Sequence, residues 1–298
     1  MLDQGPNVPQ PAFAGFRRHR LLGYQTGRRG LLVSGSSTIV VIAALAAIIA
    51  FAPGAAAVRH TFFSPPDMWH ALIGNHLKGE PSVGEAIWLN IRMFLVAEVL
   101  ILVIALLIAV VRQSTGPVML PFRIIATAFV DICRGVPTLL LIFMIGFGVP
   151  ALQISGISNQ SLVVYGIAGL VVSYSAYVSE VYRAGLQSVH RSQVSAARSL
   201  GLSEWSVTRY VVLPQAVRNV IPPLLNDFIA LQKDTALVAS IGVIEANRAA
   251  QIYSDTAFNY SSYTVAAILF LILTIPLARF TDHLIARDQA RRLAGANQ

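Results

Sequence analysis

Long apolar segments without charged residues constrain this chain more than any other feature of its sequence. Residues 135–179 and 31–58 carry no charge, and residues 87–111 are interrupted only by Arg92 and Glu98. A membrane-spanning helix needs about 20 mostly apolar residues. Only 12% of the residues are charged, against roughly 25% in soluble domains. We therefore predict an all-α integral membrane protein.

Six segments are long and apolar enough to span a bilayer. The charge-free run at 135–179 is too long for one helix, and Pro150 and Gly156 indicate a turn inside it. Residues 54–57 also resemble a signal-peptide cleavage site. We predict that the first span is retained, and its cleavage would leave five spans in the same orientation. The predicted spans lie at 31–58, 87–111, 122–149, 161–182, 217–244 and 260–281.

Basic residues are distributed unequally between the two sides of these spans. Sixteen lie in the N-terminus, the loops at 112–123 and 183–218, and the C-terminal tail. Only three lie in the loops at 53–85, 150–160 and 245–259. Because loops rich in Lys and Arg stay in the cytoplasm, we place both termini and the 183–218 loop there.

The sequence carries no P-loop, no H-E-x-x-H or G-x-S-x-G motif and no pair of cysteines. A P-loop requires a Lys after a set of glycines, and neither Lys78 nor Lys233 follows one. The six histidines are scattered, and the single cysteine, Cys133, excludes an intramolecular disulfide. We therefore predict that the chain is not an enzyme and binds no cofactor or metal of its own.

The loop at 183–218 reads as two short helices rather than a simple connection. Ser192 is predicted to cap the first helix and Ser203 the second, with Glu204 in the second helix's first turn. Gly201 stands where a helix end requires a left-handed residue. Pro214 allows the second helix to end or kink. The pattern predicts a rigid element onto which another surface can dock.

The residues SAARSLGLSEWSVTRYVVLP within this loop resemble the loop shared by permease subunits of ABC importers. The family pattern is E-A-A, three residues, G, nine residues and I-x-L-P, and Ser195 replaces its Glu. In that family the short helix inserts into a cleft on the ATPase subunit, which binds the ATP. The resemblance implies ATPase-docking residues Ser195, Ala196, Ala197, Arg198, Gly201, Leu213 and Pro214.

Three further stretches resemble the polar amino acid branch of these permeases, the histidine/glutamine/arginine/opine type. They are DICRGVP at 131–137, YSAYVSEVYRAGLQSV at 174–189 and LPQAVRNVIPPLLNDFIALQKDTAL at 213–237. The resemblance covers about 83–290 and implies a type I ABC importer-like bundle, with a five-helix core and an extra N-terminal helix. The implied organisation is a cytoplasmic tail (1–30), an extra transmembrane helix with an extracytoplasmic loop (31–82), a permease domain (83–290) and a C-terminal tail (291–298).

The resemblance also implies a function and partners. The chain would carry polar L-amino acids across the bacterial inner membrane by alternating access, driven by separate ATPase subunits. Its partners would be those ATPases, a second permease in a homo- or heterodimer, an extracytoplasmic amino acid-binding protein and membrane lipids.

Charged residues at membrane depth are costly and need a reason. Glu98, Asp131, Glu180 and Asp227 are candidates for lining a substrate path. Asp131 and Glu180 each have an Arg three residues later, so these charges could equally form ion pairs that staple the bundle. Acidic residues outnumber basic ones in the spans, which favours a cationic amino acid as substrate.

Three other classes of protein are compatible with parts of this pattern. An ion-gradient-driven amino acid transporter would show inverted repeats or matched broken helices, and it leaves the two-helix loop unexplained. A membrane enzyme would need a cluster of reactive groups or metal ligands, and a simple anchor would not need charges in so many spans.

Overall fold

A computed structural model of the chain describes residues 28–75, 77 and 79–296. Every regular element of this part is helical, so the all-α prediction is confirmed. The described residues divide into two units, one that ends at Ala57 and one that begins at Val58. The helices are α1 (Arg28–Phe51), α2 (Ala55–Phe62), α3 (Pro65–Ile73), α4 (Val83–Gln113), α5 (Leu120–Gly135), α6 (Thr138–Ala151), α7 (Leu162–Gln187), α8 (Arg191–Ser199), α9 (Glu204–Val207), α10 (Leu213–Asp234), α11 (Ala246–Ala257) and α12 (Ser261–Ala296).

The centre of the unit at 58–298 is the packing of α4 along α7. Small residues on α4, including Ala97 and Ala105, are completely buried and let the two helices approach closely. Leu170 of α7 and Ile142 of α6 complete the same core. Other apolar side chains of α4, such as Val99, are exposed. A helix that is apolar on all sides is typical of a membrane environment.

Three of the described helices are long and apolar enough to cross a membrane, namely Val83–Gln113, Leu162–Gln187 and Ser261–Arg287. The pair α5 and α6 makes a fourth if it counts as one broken span. The prediction of six spans, with an extra span near 31–58, remains a prediction. Of the two predicted tails, residues 1–27 and 297–298 lie outside the described residues.

Two predicted spans are not continuous α-helices. The segment near 122–149 is bent by 111° between α5 and α6, at Val136 and Pro137. A proline lacks an N–H and disfavours helical geometry in the residue before it, so the helix ends there. The segment near 217–244 leaves α10 at Asp234 and continues as a 3₁₀ helix, Thr235–Ile241.

The two ends of α4 meet different neighbours. At its first turn Ser82 accepts a hydrogen bond from the backbone N–H of Glu85 and donates one to the carbonyl of Leu72. The chain before α4 also reaches α12, since the N–H of Ser64 donates to the Ser261 hydroxyl at 3.0 Å. At the other end Arg112 reaches α7. One end of α4 therefore lies with α3, α11 and the start of α12, and the other with the end of α7.

Two glycines of α6 differ in how closely neighbouring side chains pack against them. A Cβ on Gly146 would lie 2.7 Å from Ile241 Cγ2, whereas one on Gly148 would meet nothing within 4 Å. We expect Gly146→Ala to destabilise the protein by about 1–3 kcal/mol, because the core must shift. Gly148→Ala should be neutral or slightly stabilising. Thermal unfolding of the two variants in detergent measures the difference, and equal stabilities would contradict the packing described here.

Candidate functional site

The loop predicted from the sequence is present as two short helices. Helix α8 begins after His190, whose ring Nδ1 accepts a hydrogen bond from the backbone N–H of Ser192 at 3.2 Å. The prediction that Ser192 caps this helix is therefore wrong by two residues. His190 takes the capping position because its backbone is extended, at φ −63° and ψ 134°, and the Ser192 hydroxyl instead bonds to the same ring nitrogen.

Gly201 ends α8 in the predicted way. Its φ is +80°, a left-handed conformation that costs glycine little. The N–H of Gly201 donates to the carbonyl of Arg198 at 2.9 Å, and the N–H of Leu202 donates to the carbonyl of Ala197 at 3.3 Å. This pair of hydrogen bonds is a Schellman motif, and it fixes the direction in which the chain leaves α8.

The second helix starts and continues through local hydrogen bonds. The Ser203 hydroxyl accepts the backbone N–H of Ser206 at 3.2 Å, so the predicted cap is confirmed. After α9 the chain forms one π-helical turn, Thr208–Val212, and then enters α10. Pro214 lies just after this widened turn, and because proline has no N–H to donate to the preceding turn, the helix is locally widened there and does not end. The chain thus stays helical from Glu204 to Asp234 with one local widening.

The loop presents a mixed surface of small, charged and aromatic side chains. Ala196 is exposed, whereas Ala197 is only 5% exposed and packs inward. Leu200 and Trp205 are 82% and 70% exposed. Of the predicted docking residues, Ala197 therefore supports the loop from within, while the others are exposed at the surface: Ser195, Ala196, Arg198, Gly201, Leu213 and Pro214.

A charge pair joins the two loop helices. Arg198 Nε lies 2.8 Å from one carboxylate oxygen of Glu204, and its Nη2 donates to the other at 2.9 Å. The pair is exposed, and it raises the pKa of Arg198 through the hydrogen bond and the charge of Glu204. Exposed pairs contribute little to stability, because water screens their charges. The pair therefore orients the two side chains more than it stabilises the fold.

Beside this loop, the Glu180 carboxylate of α7 is surrounded by arginines. Arg183 donates to it through Nε at 3.0 Å and Nη2 at 2.5 Å, which confirms the predicted pair one helical turn apart. Arg112 at the end of α4 also binds it. Arg134 Nη1 at the end of α5 lies 3.8 Å away. The carboxylate thus ties three helices together at one point.

A cavity of about 530 Å³ opens next to this cluster. Its walls include Arg134, Tyr177, Glu180, Asn219 and Asp227. The Glu180 charge is balanced by arginines, whereas Asp227 Oδ2 is buried without a hydrogen-bond partner among the described residues. The cavity is therefore lined by the guanidinium group of Arg134 and by the carboxyl group of Asp227, whose Oδ2 makes no hydrogen bond to another described residue.

The four predicted path residues are only partly brought together. Glu180 and Asp227 line the cavity, whereas Glu98 lies near Asp227 without lining it. Asp131 is exposed and does not line the cavity. Among the described residues, Asp131 makes no ion pair with Arg134. The Arg134 guanidinium group lies close to the carboxylate of Glu180 instead.

Some polar groups near the cavity were not identified from the sequence. Arg112 was predicted only as a basic residue of the 112–123 loop. Its partner Glu180 is 68 positions away, so the sequence did not indicate the ion pair. The Tyr174 hydroxyl donates to Asp234 Oδ2 at 2.7 Å, and these residues are 60 positions apart. No local pattern could have paired them. Within the described residues, no group of three or more His, Cys, Asp or Glu could hold a metal ion.

Comparison with known proteins identifies the relatives of this chain. Residues 118–287 match the family model of the binding-protein-dependent transport system inner membrane component. The chain is 32% identical over 196 residues to the Probable amino-acid permease protein YxeN of Bacillus subtilis, a match that covers 65% of this chain and 86% of the relative. It is 33% identical over 188 residues to the Probable glutamine ABC transporter permease protein GlnM of the same organism, covering 62% and 83%.

A solved structure shares the arrangement of helices. The crystal structure of an amino acid ABC transporter with histidines superposes with a TM-score of 0.63 and 28% sequence identity. The superposition covers 69% of this chain and 93% of that chain.

Proposed function

Because the chain belongs to the family of binding-protein-dependent transport system inner membrane components, we propose that it moves polar L-amino acids through the cavity beside Glu180. The chain is a membrane-spanning permease subunit of an amino acid ABC importer, and it has the type I ABC permease fold. It catalyses no covalent step. The family supports this function and gives no support to transport driven by an ion gradient.

Membership of this transporter class implies which other subunits the permease works with. The permease works with ATPase subunits and an extracytoplasmic binding protein, and we propose a second permease, identical or paralogous, as its partner in the membrane. ATP binds to the ATPase subunits and not to this chain. The excess of arginine in the 183–218 loop favours a cytoplasmic position for it and for both termini.

The loop helices α8 and α9 are the proposed contact with the ATPase. Two observations support this role. The Schellman motif at Gly201 holds the two helices in a fixed geometry, and Leu200 and Trp205 are exposed on their surface. Exposed aromatic side chains often carry much of the binding energy at protein interfaces. Closure of the ATPases on ATP would move this loop, and α10 continues from it into the bundle without a break.

The cavity beside the Glu180 cluster is the proposed part of the substrate path. An amino acid carries an ammonium and a carboxylate group, and the cavity offers Asp227 and Arg134 to match them. Glu98 is a second carboxyl group near Asp227, although it does not line the cavity. Acidic residues outnumber basic ones in the predicted spans, which supports a cationic amino acid.

The first test of this function is co-purification. The permease is extracted in a mild detergent together with the products of neighbouring genes, and bound ATPase subunits are identified by mass spectrometry. We expect an ATPase subunit in stoichiometric amount. A permease that purifies without any ATPase, although both are expressed, would contradict the proposal.

The role of Asp227 can be tested separately. We expect Asp227→Asn to reduce uptake of L-arginine about tenfold, because a charge-assisted hydrogen bond to the substrate is lost, and to reduce uptake of a neutral amino acid less. Asp131→Asn serves as the control, because Asp131 is exposed and outside the cavity. Uptake of labelled amino acids into cells measures both. Equal effects of the two substitutions would contradict a path through this cavity.

A further inference from the structure

Glu245 is a buried carboxyl group that the proposed substrate path does not use. Its side chain is 0% exposed. Each hydrogen bond that it accepts comes from an uncharged N–H group. A buried charge is strongly unfavourable unless it is well bonded, so the position of this carboxylate needs an explanation within the fold.

One part of the explanation is the start of α11. Glu245 Oε1 accepts the backbone N–H of Arg248 at 2.9 Å, and Oε2 accepts that of Asn247 at 3.0 Å. These N–H groups have no partner within the helix, and the helix dipole favours a negative charge there. The carboxylate therefore fixes the first turn of α11.

The other part is Asn90 on α4, which is 1% exposed. Its Nδ2 donates to Glu245 Oε2 at 2.8 Å and to the Thr235 hydroxyl at 3.1 Å, and its Oδ1 accepts the N–H of Ala246 at 3.1 Å. One buried side chain thus joins α4, the 3₁₀ helix at Thr235–Ile241 and α11. We name this group of hydrogen bonds the Asn90–Glu245 lock.

The lock lies at one end of α4, and the Glu180 cluster lies at the other. Between them α4 runs as a single helix, Val83–Gln113. Arg112 on its last turn binds Glu180 of α7, and α7 leads directly into the loop helix α8. A rigid helix that is bonded at both ends is a physical route by which motion at one face of the bundle can reach the other.

We propose that the Asn90–Glu245 lock makes the start of α4 and α11 move as one body, so that a signal from the binding protein reaches the ATPase-docking loop. Glu245 is a positioning residue in this scheme, because it touches no substrate. The inference rests on the proposed function. Without the lock, α11 can shift while α4 stays in place, and stimulation of the ATPase by the binding protein is lost.

The test uses the complete complex of permease, ATPase and binding protein in lipid nanodiscs, with L-arginine and L-glutamine as probe substrates. Three variants alter the lock: Glu245→Gln, Asn90→Asp and the two together. In Glu245→Gln an amide NH₂ group must face an N–H donor, and in Asn90→Asp two carboxylates meet. In the double variant the amide introduced at position 245 can donate to the carboxylate introduced at position 90, so part of the lock forms again.

We expect each single variant to retain the assembled complex and the basal ATPase rate, but to lose stimulation by the loaded binding protein about tenfold or more. The double variant should recover part of the stimulation, because the effects of residues in direct contact are not additive. Asp255→Asn, which removes an exposed carboxylate from the same helix, should behave as the unmodified complex.

Two outcomes would overturn the inference. Full stimulation in Glu245→Gln or Asn90→Asp would show that the lock is not needed, and a double variant no better than either single one would show that the pair does not act together. If the single variants do not assemble, Thr235→Val is the deciding variant. It removes one outer hydrogen bond of the lock, together with the bond that the Thr235 hydroxyl donates to the carbonyl of Gln232, and it leaves the Asn90–Glu245 contact in place. Reduced stimulation in Thr235→Val supports the lock, and normal stimulation rejects it. An unmodified complex without stimulation contradicts the proposed function instead.

Discussion

Glu180→Gln should lower the free energy of unfolding of this permease by about 3 kcal/mol, because it leaves the largely buried guanidinium group of Arg112 without its anion. The Glu180 side chain is 14% exposed and Arg112 is 11% exposed, so water replaces the lost charge only in part. For a chain of this size we expect the midpoint of thermal unfolding in detergent to fall by about 5–10 °C.

Two further variants show whether the charge is responsible. Glu204→Gln removes the acidic partner of the exposed Arg198–Glu204 pair, and it should change the midpoint little. Arg112→Gln in the Glu180→Gln background should restore part of the stability, because it removes one uncompensated charge. A Glu180→Gln variant as stable as the unmodified protein would show that the cluster does not hold the three helices together.

Gly201→Asp should abolish binding of the ATPase subunit and amino acid uptake while the permease still inserts into the membrane. A Cβ at Gly201 would meet nothing within 4 Å, and Asp is among the residues that tolerate a left-handed conformation best. The loop can therefore keep its shape while a charged side chain is added to the proposed docking surface. Membrane fractionation measures insertion, and co-purification measures binding.

Gly156 provides a matched control for this substitution. Its φ is +81°, its surroundings are equally open, and it lies in the turn between α6 and α7. Gly156→Asp should leave ATPase binding unchanged. If Gly201→Asp prevents insertion, or if both glycine variants lose the ATPase equally, the loop has a structural role and not a docking role.

The sequence predicted the elements that local chemistry determines. The left-handed Gly201 and the cap at Ser203 depend on residues within one helical turn, and both are confirmed. The Glu180–Arg183 pair follows from helical spacing in the same way. The bend at Pro137 could have been found, because proline disfavours a continuous helix, but the apolar run continues through it and suggested a single span.

Contacts between distant residues could not be predicted. Arg112 at Glu180 and Asn90 at Glu245 join residues 68 and 155 positions apart, and only the packing of α4 against its neighbours brings them together. The same limit applies to the substrate path. Composition indicated charges at membrane depth, but only the fold separates Asp227 in the cavity from Asp131 on the surface.

Transport in proteoliposomes shows whether this chain is the permease of an ATP-driven importer of polar amino acids. The permease is reconstituted with its ATPase and binding protein, and uptake of labelled L-arginine and L-glutamine is followed with ATP on the ATPase side. We predict uptake that requires ATP and the binding protein and that persists when ionophores remove the proton and sodium gradients. Uptake that proceeds without ATP and stops when the gradients collapse would instead identify a transporter driven by an ion gradient.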